Sequence, residues 1–120
     1  MPFVSLQYRN PITKANALML SKRLPGIVAR ALSDSGDRLD PSDVEVEVRK
    51  IEKDDISHFD LHIVIQANEH EERMNNLDQR RNQIVDELKV IIEAGQGPLA
   101  DRKFRGFVWL RLCPGSFLEF

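Results

Sequence analysis

The sequence predicts an α+β domain whose elements follow the order β-α-β-β-α-β. Alternating apolar residues indicate strands at four places in the chain. Apolar residues at spacings of three and four indicate a helix between the first two strands and another between the last two. The length, residues 1–120, suits a single domain. Both helices of such a chain should cover one face of a four-stranded mixed sheet, because each crossover is right-handed.

The first half of the chain begins with a strand and a long helix. The strand is predicted from about Phe3 to Tyr8, before the turn signal Asn10-Pro11. The helix is predicted from about Thr13 to Ser33. Pro25-Gly26 interrupts its apolar pattern, so a break or kink is expected near Leu24.

Two strands are predicted in the middle of the chain. The turn Asp40-Pro41-Ser42-Asp43 precedes the first of them. In this strand Val44, Val46 and Val48 alternate with charged residues, which is typical of a half-buried strand. The other is predicted from about Phe59 to Ala67 and has the same alternation.

The second helix is predicted to begin near Asn75 or Asn76. Asn76 can cap it, and Gln79 stands three residues on, as a capping box requires. Gly95 is expected to end it.

Two further segments flank this helix. The highly charged segment 69–73 before it is predicted to be a solvated loop. The last strand of the sheet is predicted after it, at 103–112.

Composition excludes several function classes. Hydrophobic residues make up 42% and charged residues 30%, and the formal net charge is −2. Broad binding to polyanions is therefore not expected. No apolar run reaches membrane-spanning length, and no signal peptide precedes the first strand. The single Cys113 cannot form an internal disulfide. We therefore expect a cytoplasmic protein without membrane contact.

The sheet face that the helices leave open has a mixed composition. Strand alternation assigns charged and aromatic side chains to it. It carries Glu45, Glu47, Arg49, Asp60, His62, Gln66, Arg105, Phe107, Trp109 and Arg111. This face is either an interface between copies or a ligand surface, or an ordinary solvated sheet with weak ion pairs. The apolar segment 117–120 also needs a partner surface.

One short motif on the last strand points weakly to RNA. The run from Arg105 to Trp109 partly follows an RNA-binding pattern of basic, glycine and aromatic residues. Val108 breaks that pattern, and the run lies on the fourth strand. Nucleic acid is therefore not an expected partner.

Metal and cofactor sites are also considered from short motifs. His58, Asp60 and His62 alternate as metal ligands can. No further ligand is evident, so no metal site is predicted. The sequence contains no phosphate-binding glycine loop, and no cofactor is expected.

The chain begins Met1-Pro2 and continues directly into the first strand. Methionine aminopeptidases generally remove the initiator residue when the next residue is small, as Pro2 is. Removal leaves a secondary amine, and α-amino groups titrate near neutrality, at about 7.7–8.0. Desolvation or a nearby cation lowers that pKa and makes the amine a general base. Alternatively, Met-Pro is an ordinary beginning of a protein.

Three segments together resemble the tautomerase superfamily, in its longer form with two fused βαβ halves. They are Met1-Pro2 before strand one, the run 40–46 that opens strand two, and the run 75–80 that opens the second helix. The 5-carboxymethyl-2-hydroxymuconate isomerases and the macrophage migration inhibitory factors are similar in length and element order. The resemblance implies a homotrimer in which the open sheet faces pack around a central axis.

The resemblance also implies a mechanism in which Pro2 removes a proton next to a carbonyl and returns it elsewhere. Cationic side chains hold the carboxylate of a small-molecule substrate. Arg49, Arg105 and Arg111, with Trp109 on the same face, are the candidate substrate-binding residues, chosen by their strand positions.

The chain departs from the superfamily pattern at two places. Glu45 and Glu47 lie where relatives often carry Lys or Arg, and Asn68-Glu69-His70 replaces a glycine that a basic residue commonly follows. Acidic neighbours raise the pKa of an amine. Three hypotheses therefore stay open: an isomerase acting on a keto or enol carboxylate, a catalytically silent oligomeric binding or structural module, and, least favoured, an RNA-binding α/β sandwich.

Overall fold

Strands β1 (Phe3–Tyr8) and β3 (Leu61–Asn68) form the centre of a four-stranded sheet with the order β2-β1-β3-β4. The computed structural model describes residues 2–95, 99–101, 103–115 and 118–120. The outer strands are β2 (Glu45–Lys50) and β4 (Gly106–Cys113). The helices are α1 (Lys14–Leu32), α2 (Glu71–Asn75) and α3 (Leu77–Glu93), and a 3₁₀ turn spans Pro41–Asp43.

The sheet consists of two halves that run in opposite directions. β1 is parallel to β2, and β3 is parallel to β4. The two halves meet along the antiparallel pair β1–β3. Each half is a βαβ unit, with α1 as the first connection and α3 in the second. The predicted α+β class, the four-stranded mixed sheet and its two main helices are confirmed.

The core lies between the helices and one face of the sheet. Val4 and Leu6 of β1 and Ile63 and Ile65 of β3 are almost entirely buried there. The apolar stripe predicted for α1 is buried as well: Leu20, Leu24, Ile27, Val28, Ala31 and Leu32. Each such leucine or isoleucine contributes about 1.5–3 kcal/mol by leaving water. No helix in the described ranges combines the length and apolarity that crossing a membrane requires.

Helix α1 continues through Pro25, so the predicted break is absent, while the alternative of a kink stays a prediction. Pro25 lies inside the helix, where proline removes one backbone hydrogen bond. The buried residues Leu24 and Ile27 flank it and pack into the core, and their burial outweighs the local preference. The helix begins at a capping box. In it, Thr13 Oγ1 accepts from the Asn16 N–H (3.1 Å) and Asn16 Oδ1 accepts from the Thr13 N–H (3.3 Å).

The second half differs from prediction around its helix. The segment 69–73 is not simply a solvated loop, because the short helix α2 begins at Glu71 and buries Arg73. Asn76 precedes α3 without a side-chain capping bond. Its Oδ1 accepts instead from Arg80 Nε (2.6 Å), so the predicted capping box is absent.

Smaller differences concern the ends of the strands and of the chain. β3 and β4 begin two and three residues later than predicted. In the apolar segment at the end of the chain, Leu118 and Phe120 are exposed. The prediction for Phe117 lies outside the described residues.

Candidate functional site

Pro2 is buried at one end of the central strand pair. Its carbonyl accepts a hydrogen bond from the Glu45 N–H (3.1 Å). The next residue, Phe3, lies on the open face and is 41% exposed. Strand alternation therefore turns Pro2 toward the helices. Phe3 is paired with Gln66 of the antiparallel strand β3. Continuing this register by one residue places Ala67 opposite Pro2. We call this end of the sheet the Pro2 rim.

A buried arginine, Arg73, lies at the Pro2 rim and is only 2% exposed. Its Nη1 donates to the carbonyl of Asn68 (3.1 Å), the last residue of β3. Its Nε donates to the carbonyl of Leu32 (3.1 Å), and its Nη2 to Asp37 Oδ2 (3.1 Å). Burial lowers the pKa of the Arg73 guanidinium, while Asp37 and Asp34 act in the other direction. Arginine nevertheless remains protonated in proteins.

A second arginine, Arg80, is 6% exposed and binds the same helix end. Its Nη1 donates to the carbonyls of Ala31 (3.0 Å) and Ser33 (3.1 Å). The two guanidinium groups therefore cap the C-terminus of α1, where the helix dipole favours positive charge. They also supply buried positive charge at the end of the sheet where β1 begins.

Charges of both signs lie at the Pro2 rim. Burial and nearby cations both lower the pKa of an amine. The strand neighbour with a carboxylate, Glu45, carries an exposed side chain on the open face. Asp37 is paired with Arg73. Asp34 also acts electrostatically on Arg73, so two carboxylates oppose the positive charge at this rim.

His70 and Asp34 add a polar contact near Arg73. His70 Nδ1 lies 3.4 Å from Asp34 Oδ2, and the Asp34 side chain is 3% exposed. Asp34 Oδ2 and His70 Nε2 are buried and have no hydrogen-bond partner in the described part of the chain.

The structure places Arg49 away from Pro2. Arg49 is paired in register with Gln7 of β1. Gln7 is five residues from Pro2, a separation of about 16 Å along a strand. The Arg49 guanidinium forms an ion pair with Glu47. Within one chain, Arg49 does not join Pro2.

Arg105 is also remote from Pro2. It directly precedes β4, at the same far end of the sheet as Arg49. Its guanidinium lies 4.9 Å from the centre of the Phe59 ring, which gives the cation an aromatic partner. Arg105 therefore belongs to the opposite end of the open face.

Arg111 and Trp109 lie nearer to Pro2 but on the open face. Arg111 of β4 is paired with Gln66 of β3, and Gln66 is paired with Phe3 of β1. Arg111 therefore lies at the Pro2 rim, two strands away from Pro2. Its guanidinium lies 4.7 Å from the centre of the Trp109 ring. Trp109 is 54% exposed. Of the predicted arginines, Arg111 alone shares an end of the sheet with Pro2.

Arg73 and Arg80 escaped prediction, although their spacing contained a signal. Five residues follow one another at intervals of four and three: Arg73, Leu77, Arg80, Ile84 and Leu88. These residues fall on one stripe across α2 and α3. A charged residue on a buried stripe needs partners. Here the partners are backbone carbonyls and side-chain oxygens.

The far end of the open face holds a separate polar and aromatic cluster. Ser57 Oγ lies 2.7 Å from His62 Nε2, and the His62 ring stacks on Phe107 at 4.9 Å. Asp60 accepts a hydrogen bond from Arg9 Nε (2.8 Å), which gives its carboxylate a partner other than a metal. Among the residues described, no three His, Cys, Asp or Glu side chains are grouped to hold a metal ion.

Comparisons with known proteins support the fold. No protein-family profile matches the chain, and no curated protein matches it significantly. The crystal structure of native Ps01740 is similar at 15% identity and a TM-score of 0.57, covering 98% of this chain and 99% of that one. A probable enzyme from the thermophilic fungus Aspergillus fumigatus is similar at 16% identity and a TM-score of 0.51, covering 100% and 80%. At these identities the comparisons show a shared fold alone.

Proposed function

We propose that the chain is a tautomerase-like isomerase that moves a proton within a small keto or enol carboxylate. Pro2 is the base, after removal of Met1. One observation carries the proposal: Pro2 is buried at the sheet end where Arg73 and Arg80 place two buried cations. A proline base needs burial and nearby positive charge, and both are present at this rim. The βαβ-βαβ order of the chain also supports the proposal.

In the proposed reaction, the amine of Pro2 accepts a proton from the carbon next to the substrate carbonyl. The electron pair of that C–H bond forms the enol double bond, and the proline nitrogen passes the proton to the carbonyl oxygen, which leaves the amine free again. In the reverse direction the nitrogen takes the proton from the enol oxygen and returns it to carbon. Arg111 is the proposed contact for the substrate carboxylate, because it is the predicted arginine at the same end of the sheet as Pro2, and it binds the part of the substrate that extends onto the open face. Arg49, Arg105 and Trp109 contribute in this proposal only from a neighbouring copy.

A homotrimer is part of the same proposal. Phe3 and Trp109 leave large apolar areas on the open sheet face. Exposed aromatic surface of this kind is typical of interfaces. Packing of three open faces around an axis covers these rings and brings residues of one copy toward the Pro2 rim of another.

A silent binding or structural module is the second candidate. The observation that favours it is the use of both buried guanidinium groups as caps. Three N–H groups of Arg73 already donate to Leu32, Asn68 and Asp37. In this alternative the two cations stabilise the fold and contact no substrate.

Intact mass and turnover of phenylenolpyruvate together test the enzyme. We expect the purified protein to lack Met1 and the Pro2→Ala variant to lose at least about 100-fold in kcat/KM, since general-base catalysis contributes roughly 10²–10⁴-fold. Pro41→Ala, which alters an exposed turn, is the matched control and should retain turnover. The wild-type rate should rise with pH as the proline amine loses its proton.

A retained Met1, or equal turnover by the wild type and Pro2→Ala, excludes Pro2 as the base. Loss of Met1 with no turnover of enol carboxylates by the wild type favours the silent module instead.

A further inference from the structure

An apolar cavity of about 290 Å³ lies mainly within the second half of the chain and opens to solvent. The cavity lies beneath β3 and β4, against α3 and one residue of α1. Its walls include Leu61, Ile63, Val85, Leu88, Phe104 and Val108. A cavity of this size suits a small organic molecule, since ligand pockets begin at roughly 300 Å³.

This cavity is separate from the Pro2 rim. Leu61 begins β3 and is paired with Tyr8, the last residue of β1. Tyr8 is six residues from Pro2, which corresponds to about 20 Å along the strand. A ligand in the cavity therefore makes no contact with the proposed base.

Lys89 is the charged member of the described lining. Its side chain is exposed, so the cavity is apolar within and basic at its mouth. No hydrogen bond or ion pair joins the Lys89 side chain to another described residue. Its ammonium group is thus available to a partner from outside the chain.

We propose that the cavity binds a small apolar carboxylate, with one ring or a short alkyl chain inside and the carboxylate on Lys89. The apolar walls favour the hydrocarbon part through burial. The lysine favours an anion through a charge-assisted hydrogen bond. A volume of about 290 Å³ accommodates one ring or a short alkyl chain. The site is independent of proton transfer at Pro2.

Titration of the purified full-length protein with 3-phenylpropanoate tests the proposal, with chemical-shift changes or calorimetry as the readout. The neutral 3-phenylpropanol is the matched ligand. We expect Lys89→Gln to weaken binding of the acid about tenfold, the value of one modest charge-assisted hydrogen bond. Binding of the alcohol should not change. Lys22→Gln, on the exposed surface of α1, should leave both ligands unaffected.

A second pair of variants tests the location. Val85→Phe fills the cavity and should abolish binding of both ligands. Val90→Phe adds the same ring at an exposed position of α3 and should leave both unchanged. Thermal unfolding checks that each variant is folded, and the Lys89 comparison decides the question if Val85→Phe does not fold.

Three results overturn the proposal: no saturable binding to the wild type, equal affinity of wild type and Lys89→Gln for the acid, or loss of binding in Pro2→Ala. The first means that a neighbouring copy fills the cavity or that it stays empty. The last places the ligand at the Pro2 rim. If isomerase activity is absent but the chain still binds 3-phenylpropanoate, only the proposed isomerase function is rejected.

Discussion

At the scale of single residues, Asp60 links two parts of the open face. Its carboxylate accepts from Arg9 Nε (2.8 Å) and from the Arg105 N–H (3.1 Å). Burial acts to raise the pKa of Asp60, but the hydrogen bonds and charges of Arg9 and Arg105 together hold it below its ordinary value. The folded chain therefore binds the Asp60 proton less readily than the unfolded chain does.

This lowered pKa predicts a pH-dependent contribution to stability. A carboxyl whose pKa is lower in the folded chain stabilises the fold at pH values above its unfolded pKa, about 3.9. This stabilisation is lost as the pH falls through the folded pKa. Asp60→Asn should lower the free energy of unfolding by about 1 kcal/mol at pH 7. Urea unfolding should show the difference shrinking below about pH 4.

Asp78→Asn is the control, since Asp78 forms an exposed ion pair with Arg81. It should change stability little at either pH. A constant deficit for Asp60→Asn from pH 7 down to acid contradicts the electrostatic explanation.

At the scale of elements, α1 depends on side chains from α2 and α3 for its last turn. Arg73→Met should leave the carbonyls of Leu32 and Asn68 without this donor. We expect the free energy of unfolding to fall by roughly 1–3 kcal/mol for each carbonyl left buried and unpaired. Arg81→Met, at a partly exposed position of α3, should cost much less. If urea unfolding gives the two variants equal losses of unfolding free energy, the capping contacts of Arg73 do not stabilise the fold more than an exposed ion pair does.

The elements with a regular burial pattern are predictable from the sequence. The alternation of β1 and the apolar stripe of α1 identify both correctly, and the observed bounds lie close to the predicted ones. The break predicted at Pro25 is absent, because the rule that proline interrupts helices takes no account of the core that packs beside this residue. Asn76 misleads because its side chain has two possible partners, and Arg80 takes the place of the α3 backbone.

The candidate site is less predictable than the fold. Pro2 is identified from its position in the chain. The distances from Arg49 and Arg105 to Pro2 depend on strand order and direction, which alternation alone does not give. Arg73 escapes because its neighbours in the sequence are highly charged, and two of its hydrogen bonds span 41 and 36 residues. Contacts at that separation depend on the folded topology.

At the scale of the whole molecule, the proposed homotrimer predicts a solution mass of three chains. Light scattering after size exclusion should give that mass at micromolar concentration. Trp109→Lys places extra positive charge beside Arg111 on the open face and should shift the mass toward one chain. Val90→Lys, on the exposed side of α3, should remain trimeric. A wild type that is monomeric at every concentration contradicts the assembly.

The antiparallel pairing of β1 with β3 also has a consequence for how substitutions act. Because the two βαβ units point in opposite directions, their first strands begin at opposite ends of the sheet. Pro2 stands at one end and the apolar cavity opens near the other. A substitution that reshapes one end therefore leaves the backbone of the other end in place, so each end can be redesigned by itself.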